Sequence, residues 1–403
     1  MLTDHNNDII RIQTFTLASL LRYPMTSTRH CSNPLFNENR LKLGVFGFNG
    51  QAPSNTLVEE LYTPTWPRIL HIGALADAAG FEALVPFARW KHGRSRDSDN
   101  REALSVFDPF IWAAGLAQAT HRIALMATSH MSLIHPVIAA KQVATIDHVS
   151  QGRFALNVVA GWNEPEFRMF GGALEGHTDR YAQAAEWMEV VTKLWRESDD
   201  FDYAGRYYSI VRGESFPKPV QNPGPPIMSA GGSDKGREFA AKYADLCFTR
   251  MRSDDAHTAK ADVLAYKDLA RRTYARDIQV WTVAYVIQRE THAEAKAYQR
   301  RILDHADHRA NDAMMATLGA QSKMMSPEAF QAFKNRYIAG AGGFPLVGRA
   351  QDIAEQCESL SKAGIDGILL CWIDYADGLP RWIREILPLL EQANLRRPVS
   401  RLA

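Results

Sequence analysis

The sequence has few cysteines and almost no net charge. The first property argues against disulfide-rich and thiolate-zinc proteins, and the second against nucleic-acid-binding proteins. Only four cysteines occur in 403 residues, and no two of them form a C-x-x-C pair. We therefore expect neither a disulfide framework nor a thiolate zinc site, and a reducing, cytoplasmic location is favoured. Lysine and arginine number 46 against 45 for aspartate and glutamate, which leaves a net charge of +1. This balance predicts no nucleic-acid partner and no attraction to an acidic membrane.

Long apolar runs and several common fingerprints are also missing. Each apolar run is only strand-length and is interrupted by charge, so no membrane span is predicted. No signal peptide is expected either, because Asp4, Asp8 and Arg11 break up the first residues. Neither a G-x-G-x-x-G turn after the first predicted strand nor a G-x-S-x-G motif is present. His130 and His135 lack carboxylates at ligand spacing, so no metal site is predicted.

The sequence does contain a regular alternation of short apolar runs with helical stretches. Eight runs are predicted to be strands, at 41–48, 81–87, 122–128, 153–160, 226–230, 245–249, 278–287 and 367–373. Helical periodicity lies between them, most strongly over 178–196, and a short hairpin is predicted at 201–210. This α/β pattern predicts a (β/α)8 TIM barrel with insertions. The alternative is a doubly wound open sheet.

The ends of the chain and one internal stretch fall outside this alternation. Residues 1–40 are predicted to be an N-terminal extension, and residues 41–395 to be the barrel domain. A helical, partly polar insertion is expected at about 291–345. The basic stretch 396–401 has the composition of a solvated tail.

In a (β/α)8 barrel the active site lies where strands end, and this rule selects candidate residues. Asn157 is a polar amide within the apolar run FALNVV, and Thr128 ends the third predicted strand. The amide either binds a polar ligand at the barrel mouth or is satisfied by neighbouring backbone. For Thr128 the strand preference of threonine is a sufficient structural explanation. Trp90, Trp162 and Trp372 lie near strand ends, where they serve the core or wall a planar ring.

A glycine-rich turn is the third candidate. Gly231, Gly232 and Ser233 separate a predicted strand from a predicted helix. Exposed backbone N–H groups, the helix N-terminus and the serine hydroxyl together favour a bound phosphate. The alternative is an ordinary strand–helix turn in which Ser233 caps the helix.

Four segments resemble the bacterial luciferase-like flavin-dependent monooxygenases. They are ATSHMSLIHPVIAAKQVATIDHVSQGRFALNVVAGWNEPEFRMFGG (127–172), HTDRYAQAAEW (177–187), GGSDKGREFAAKYAD (231–245) and DYADGLPRWIREILPLLEQA (374–393). The resemblance spans 41–395 and implies a (β/α)8 barrel that inserts oxygen from dioxygen. It also implies reduced FMN as cofactor, supplied by a separate NAD(P)H-dependent flavin reductase. Within the superfamily, the chain is most similar to the pyrimidine ring-opening, dimethylsulfone and alkanesulfonate monooxygenases.

The ring-opening enzymes imply roles for individual residues. Thr128 and Asn157 match the threonine and asparagine of that family's dioxygen pocket, and oxygen transfer is then expected through a flavin peroxide. The phosphate of FMN is implied to lie on Arg180, Tyr181 and Ser233. Further flavin contacts are implied at Ala88, Arg89, Asn157, Glu166 and Gly232. The superfamily commonly forms dimers or tetramers, so a homo-oligomer is expected.

The chain departs from the ring-opening enzymes at three places expected around the substrate. The loop 89–107 is highly charged, His130 stands where those enzymes have small or hydroxyl residues, and 291–345 does not match closely. A pyrimidine-like amide, a sulfone or sulfonate, and a substituted aromatic therefore all stay open as substrates. Two other functions stay open: a deazaflavin-dependent oxidoreductase of the same fold, and a non-catalytic flavin-binding partner subunit.

Overall fold

A closed barrel of parallel strands forms the centre of the molecule. The computed structural model describes residues 33–399, except 52, 92–104, 175, 252–255 and 319–325. Its strands are β1 (Lys42–Phe46), β2 (Ala83–Val85), β3 (Ala124–His130), β4 (Phe154–Val159), β5 (Phe201–Ala204), β6 (Ser209–Gly213), β7 (Ile227–Ser229), β8 (Leu246–Thr249), β9 (Gln279–Gln288), β10 (Phe344–Gly348) and β11 (Gly367–Cys371). Eight of them pair in the order β1-β2-β3-β4-β7-β8-β9-β11, and β11 returns to β1. This closure confirms the predicted barrel and excludes the open sheet.

Helices surround the barrel. They are α1 (Trp66–Ala78), α2 (Pro109–Ala117), α3 (Pro136–Val149), α4 (Glu164–Met169), α5 (His177–Arg196), α6 (Asp234–Tyr243), α7 (Ala256–Tyr274), α8 (His292–Asp304), α9 (His308–Thr317), α10 (Pro327–Ala339), α11 (Ala350–Lys362), α12 (Tyr375–Arg381) and α13 (Leu387–Gln392). A π-helical turn, Trp382–Ile386, joins the last two. β5 and β6 form the predicted hairpin, separate from the barrel.

Helix α7 and strand β10 were not predicted from the sequence, and neither was the short helix α4. Helix α7 lies in a strongly charged segment, and among its described side chains Ala259, Val263, Tyr266 and Ala270 form a buried stripe. This spacing is helical, but the stripe is narrow. Strand β10 begins at the end of the predicted insertion and extends past its boundary at about residue 345. It forms because β9 is ten residues long and extends past β8, so that Phe344–Gly348 finds a free edge beside it.

Within the described part of the chain, no helix is long and apolar enough to cross a membrane. The three cysteines described there are buried free thiols. Burial raises the pKa of Cys357 and of Cys371 to about 12, so these thiols stay protonated at neutral pH. Cys31 lies outside the described residues.

A buried ion pair closes the end of the barrel opposite the strand C-termini. Arg396 Nη1 donates to Glu82 Oε2 over 2.7 Å, and both side chains are at most 2% exposed. The same carboxylate accepts bonds from the backbone N–H of Leu43 and from the amides of Asn37 and Asn39. The expectation of a solvated tail is therefore wrong for Arg396, because its guanidinium neutralises a buried carboxylate.

The segment just before the barrel also packs against it. The side chain of Leu35 is fully buried, and the amide of Asn33 donates to Gln221 over 3.0 Å. The predicted extension therefore contributes its last residues, 33–40, to the base of the barrel. Residues 1–32 lie outside the described part of the chain.

We predict that Arg396→Met lowers the free energy of unfolding by about 3–5 kcal/mol, because Glu82 is left charged and unpaired in the interior. The matched control is Arg397→Met, which removes an exposed pair with Glu38 and is expected to change stability by less than about 1 kcal/mol. Urea unfolding followed by circular dichroism measures both. Equal effects of the two variants would contradict the assigned role of the buried pair.

Candidate active site

A cavity of about 520 Å³ opens at the carboxyl ends of the barrel strands. Eight of the nine predicted site residues line it: Ala88, Arg89, Thr128, Asn157, Arg180, Tyr181, Gly232 and Ser233. Its apolar walls come from several strands, through Phe46, Val85, Met228, Phe248 and Leu369. The ninth predicted residue, Glu166, does not line the cavity. Residues distant in sequence thus meet because parallel strands end on the same side of the barrel.

A hydrogen-bonded chain of three groups fixes the centre of the cavity. Thr128 lies opposite Asn157 in the β3–β4 register. The hydroxyl of Thr128 donates to the carbonyl of Pro86 over 2.6 Å, and therefore accepts from Asn157 Nδ2 over 3.0 Å. Asn157 Oδ1 is buried and has no partner among the described residues. An acceptor left in this state costs about 1–3 kcal/mol, so it fits a bound ligand better than a purely structural amide.

The glycine-rich turn lies on another wall of the cavity. Ser233 Oγ accepts from the backbone N–H of Gly236, which caps α6, and lies 3.0 Å from His177 Nε2. A Cβ at Gly231 would lie 2.6 Å from the Gly236 Cα, whereas one at Gly232 would meet nothing within 4 Å. Ser233 therefore caps the helix, as the structural alternative expects, and it also lines the cavity, while phosphate binding stays a prediction. The open space at Gly232 leaves room for a ligand beside the N-terminus of α6.

The first turn of α5 presents three polar side chains to the same place. His177, Arg180 and Tyr181 stand at i, i+3 and i+4, which puts them on one helix face, and all three line the cavity. Arg180 Nη1 donates to the carbonyl of Gly161, while its buried Nε has no partner among the described residues. Burial raises the pKa of Tyr181, so its hydroxyl stays protonated and able to donate.

Charge in the cavity has one sign. Arg89, Arg180 and Arg250 line it, and none of the described lining residues is an aspartate or glutamate. This arrangement creates a positive potential that favours an anionic ligand. Neither Arg250 nor His177 was predicted from the sequence to be a site residue. His177 was detectable, because it begins the same quoted segment as Arg180 and Tyr181.

Glu166 lies behind the cavity wall. Its side chain is buried, and Oε1 accepts from the backbone N–H of Trp90 over 2.9 Å and of Lys91 over 3.2 Å. The carboxylate thus anchors the loop after β2, which carries the lining residues Ala88 and Arg89. Most of the charged loop 89–107 lies outside the described residues.

The three tryptophans near strand ends differ in position. Trp162 lines the cavity, where the guanidinium of Arg89 lies 5.8 Å from its ring. Trp90 packs edge-on against Phe170 and is not a lining residue. Trp372 is buried against Trp382 and belongs to the core. One of the three therefore has the position expected of a residue that walls a planar ring.

Comparison with known proteins identifies the family. The sequence model of the luciferase-like monooxygenases matches residues 41–367. The chain belongs to this family. The predicted enzyme class, a monooxygenase, and the predicted superfamily are thereby confirmed.

Individual relatives agree with this assignment. The chain is 29% identical to an FMNH(2)-dependent dimethylsulfone monooxygenase of Pseudomonas fluorescens over 82% of its own length and 89% of the relative's. It is also 29% identical to pyrimidine monooxygenase RutA of Acinetobacter baylyi, over 87% and 95% of the two chains. Among solved structures, long-chain alkane monooxygenase (LadA) superposes with a TM-score of 0.79 at 24% identity, covering 90% and 93%. This last similarity concerns the fold.

We predict that Glu166→Ala exposes the Trp90 and Lys91 amides to hydrogen exchange. Bonds to a charged acceptor contribute about 1.5–3 kcal/mol, so protection at these two amides falls by about tenfold to a hundredfold. Hydrogen exchange followed by mass spectrometry measures this. The control is Glu164→Ala, whose exposed carboxylate pairs only with Arg168 among the described residues. Unchanged protection in Glu166→Ala would show that the carboxylate does not hold the loop.

Proposed function

We propose that this luciferase-like monooxygenase uses reduced FMN and dioxygen to oxygenate a small organic substrate. A separate NAD(P)H-dependent flavin reductase supplies the reduced FMN, and the enzyme works as a cytoplasmic homo-oligomer. The single observation that carries the proposal is that one cavity contains both the glycine-rich turn beside Arg180, which suits a phosphate, and Asn157 Oδ1, which has no partner among the described residues. The named cofactor of the dimethylsulfone-oxidising relative supports it as well.

The phosphate end of the site is built by α5 and the turn before α6. Ser233, Tyr181 and Arg180 would hold the phosphate, with the backbone of Gly232 facing it. The residues fit this group, because the buried Nε–H of Arg180 has no partner in the described part of the chain and a Cβ at Gly232 would meet nothing within 4 Å. A dianion here also gains from the N-terminus of α6.

The opposite part of the cavity suits a planar ring and a small gas molecule. Phe46, Val85, Met228 and Leu369 supply apolar surface that keeps water away from the reacting atoms. Ala88, Arg89 and Asn157 would contact the ring, while Glu166 acts from behind by fixing the loop that carries Ala88 and Arg89. When bound, reduced FMN supplies the electrons for activating dioxygen, which is chemistry that side chains lack.

Thr128 and Asn157 would hold dioxygen beside the ring. Their mutual hydrogen bond and the bond to Pro86 remove freedom from both side chains, so the pocket is formed before the ligands arrive. Positioning of this kind raises the rate without any proton transfer by the protein. The substrate stays among a pyrimidine-like amide, a sulfone or sulfonate, and a substituted aromatic.

The proposal is tested by supplying photoreduced FMN, heavy-isotope dioxygen and each substrate class in turn, and analysing products by mass spectrometry. A product that carries one labelled oxygen atom is expected for one class. Oxidation of a substrate without dioxygen uptake would contradict the proposal in favour of the deazaflavin alternative. Lack of FMN binding would contradict it directly.

We predict that Asn157→Ala lowers product formation by about a hundredfold or more, because a preorganised polar contact at the reacting atoms is lost. FMN affinity changes by less than about tenfold, since the phosphate contacts persist. The control is Ser129→Ala, because Ser129 is buried but points to the other face of β3 and does not line the cavity. Turnover and flavin-fluorescence titration measure the two effects. Full turnover by Asn157→Ala would refute the assigned dioxygen pocket.

A further inference from the structure

His130 is a polar side chain of the cavity wall to which the proposed function assigns no role. His130 is the last residue of β3, two positions after Thr128, so the two side chains point to the same face of the strand. Both residues line the cavity, and His130 is only 4% exposed. In the β3–β4 register it lies opposite Val159, two pairs beyond Thr128 and Asn157. The ring therefore lies next to the proposed dioxygen pocket, on its outward side.

One ring nitrogen of His130 makes no hydrogen bond to the described residues. Its Nδ1 is buried and has no partner in the described part of the chain. Buried polar atoms are seldom left in this state, and one that is calls for a ligand or a function. The carboxylate of Glu166 is nearby, but its Oε1 is already engaged by the Trp90 and Lys91 amides. Because His130 lines the cavity, its ring can contact a molecule that enters it.

The surroundings keep the ring neutral. Burial lowers the pKa of His130, and the charge of Arg89 lowers it further against the opposing influence of Glu166. A neutral imidazole carries one N–H donor and one acceptor nitrogen. Because all charged side chains that line the described cavity are arginines, a positively charged substrate is disfavoured.

We propose that His130 binds the substrate directly, by donating a hydrogen bond to a carbonyl or sulfonyl oxygen. This inference rests on the proposed function. The substrate is then a molecule without positive charge that bears such an oxygen next to its reacting atom. The arginines on the phosphate side are left to the flavin. The substrate selectivity of this chain is set by His130, whereas Thr128 and Asn157 handle dioxygen.

The test compares the wild-type protein with His130→Ala and His130→Asn, each saturated with FMN. The probes are dimethylsulfone, uracil and octane, which carry a sulfonyl oxygen, carbonyl oxygens and no oxygen. Titration calorimetry gives their Kd values, and flavin fluorescence gives the Kd of FMN. The matched control is His121→Ala, because His121 is an exposed histidine that precedes the same strand at the opposite end of the barrel.

We expect an oxygen-bearing probe to bind the wild-type protein, with a Kd that rises about tenfold in His130→Ala. His130→Asn, which keeps an N–H donor near the position of Nδ1, should recover most of that affinity. FMN affinity and octane binding should be the same in all variants. If dimethylsulfone binds more tightly than uracil, the oxygen that His130 contacts is a sulfonyl oxygen, and if uracil binds more tightly, it is a carbonyl oxygen.

Two results would overturn the assignment. Equal probe binding by wild-type protein and by both His130 variants would show that the ring does not contact the substrate. Binding of octane alone would refute the proposed substrate class. Failure of the wild-type protein to bind FMN would instead refute the proposed function. If His130→Ala does not fold, His130→Asn and His130→Gln give the same comparison, because only the asparagine places a donor near Nδ1.

Discussion

The hydrogen-bonded chain from Asn157 through Thr128 to the carbonyl of Pro86 sets the arrangement of the cavity. It joins three consecutive barrel strands at their carboxyl ends, and each of its bonds determines the direction of the next. The threonine hydroxyl has one proton, which it gives to the carbonyl, and so it must accept from the amide. The amide oxygen is then left for a ligand. A shift of one residue in the β3–β4 register would turn these side chains to the other face.

Charged groups and uncharged polar groups lie on different elements of the cavity wall. Arg180 and the helix N-terminus at Ser233 provide positive potential on one side. The polar groups that strands β3 and β4 themselves contribute to the described lining are uncharged, and they belong to Thr128, Asn157 and His130. An anionic cofactor that is anchored at one end would therefore extend its uncharged part toward the other. This distribution of charge would therefore set the orientation in which the cofactor binds, and with it the place left for the substrate.

Much of the fold follows from the sequence, because buried parallel strands produce continuous apolar runs that alternate with helical periodicity. All eight barrel strands were predicted for this reason. Helix α7 was not predicted because its apolar stripe is narrow and is surrounded by charged residues. Strand β10 was not predicted because it forms by pairing with the end of β9, and such a tertiary contact leaves no local sequence pattern. The ion pair of Arg396 with Glu82 joins residues 314 positions apart, and no local pattern reports such a contact.

The candidate site was predictable to a similar degree. Strand ends and the glycine-rich turn led to Thr128, Asn157 and Ser233, since their positions are fixed by topology. The place of Glu166 behind the wall was not evident, because a carboxylate near a strand end has the same sequence signature whether it faces a cavity or a backbone amide. Arg250 directly follows β8, and whether its side chain faces the cavity depends on the three-dimensional path of the chain after that strand.

The central claim is that this cavity binds reduced FMN and controls its reaction with dioxygen. The most direct measurement is stopped-flow absorbance after mixing the protein and photoreduced FMN with oxygenated buffer, without substrate. The account predicts that oxidised flavin returns more slowly than it does for free FMN, through a species with its own absorbance spectrum. A single phase at the rate of free FMN, with no spectral intermediate, would contradict the account.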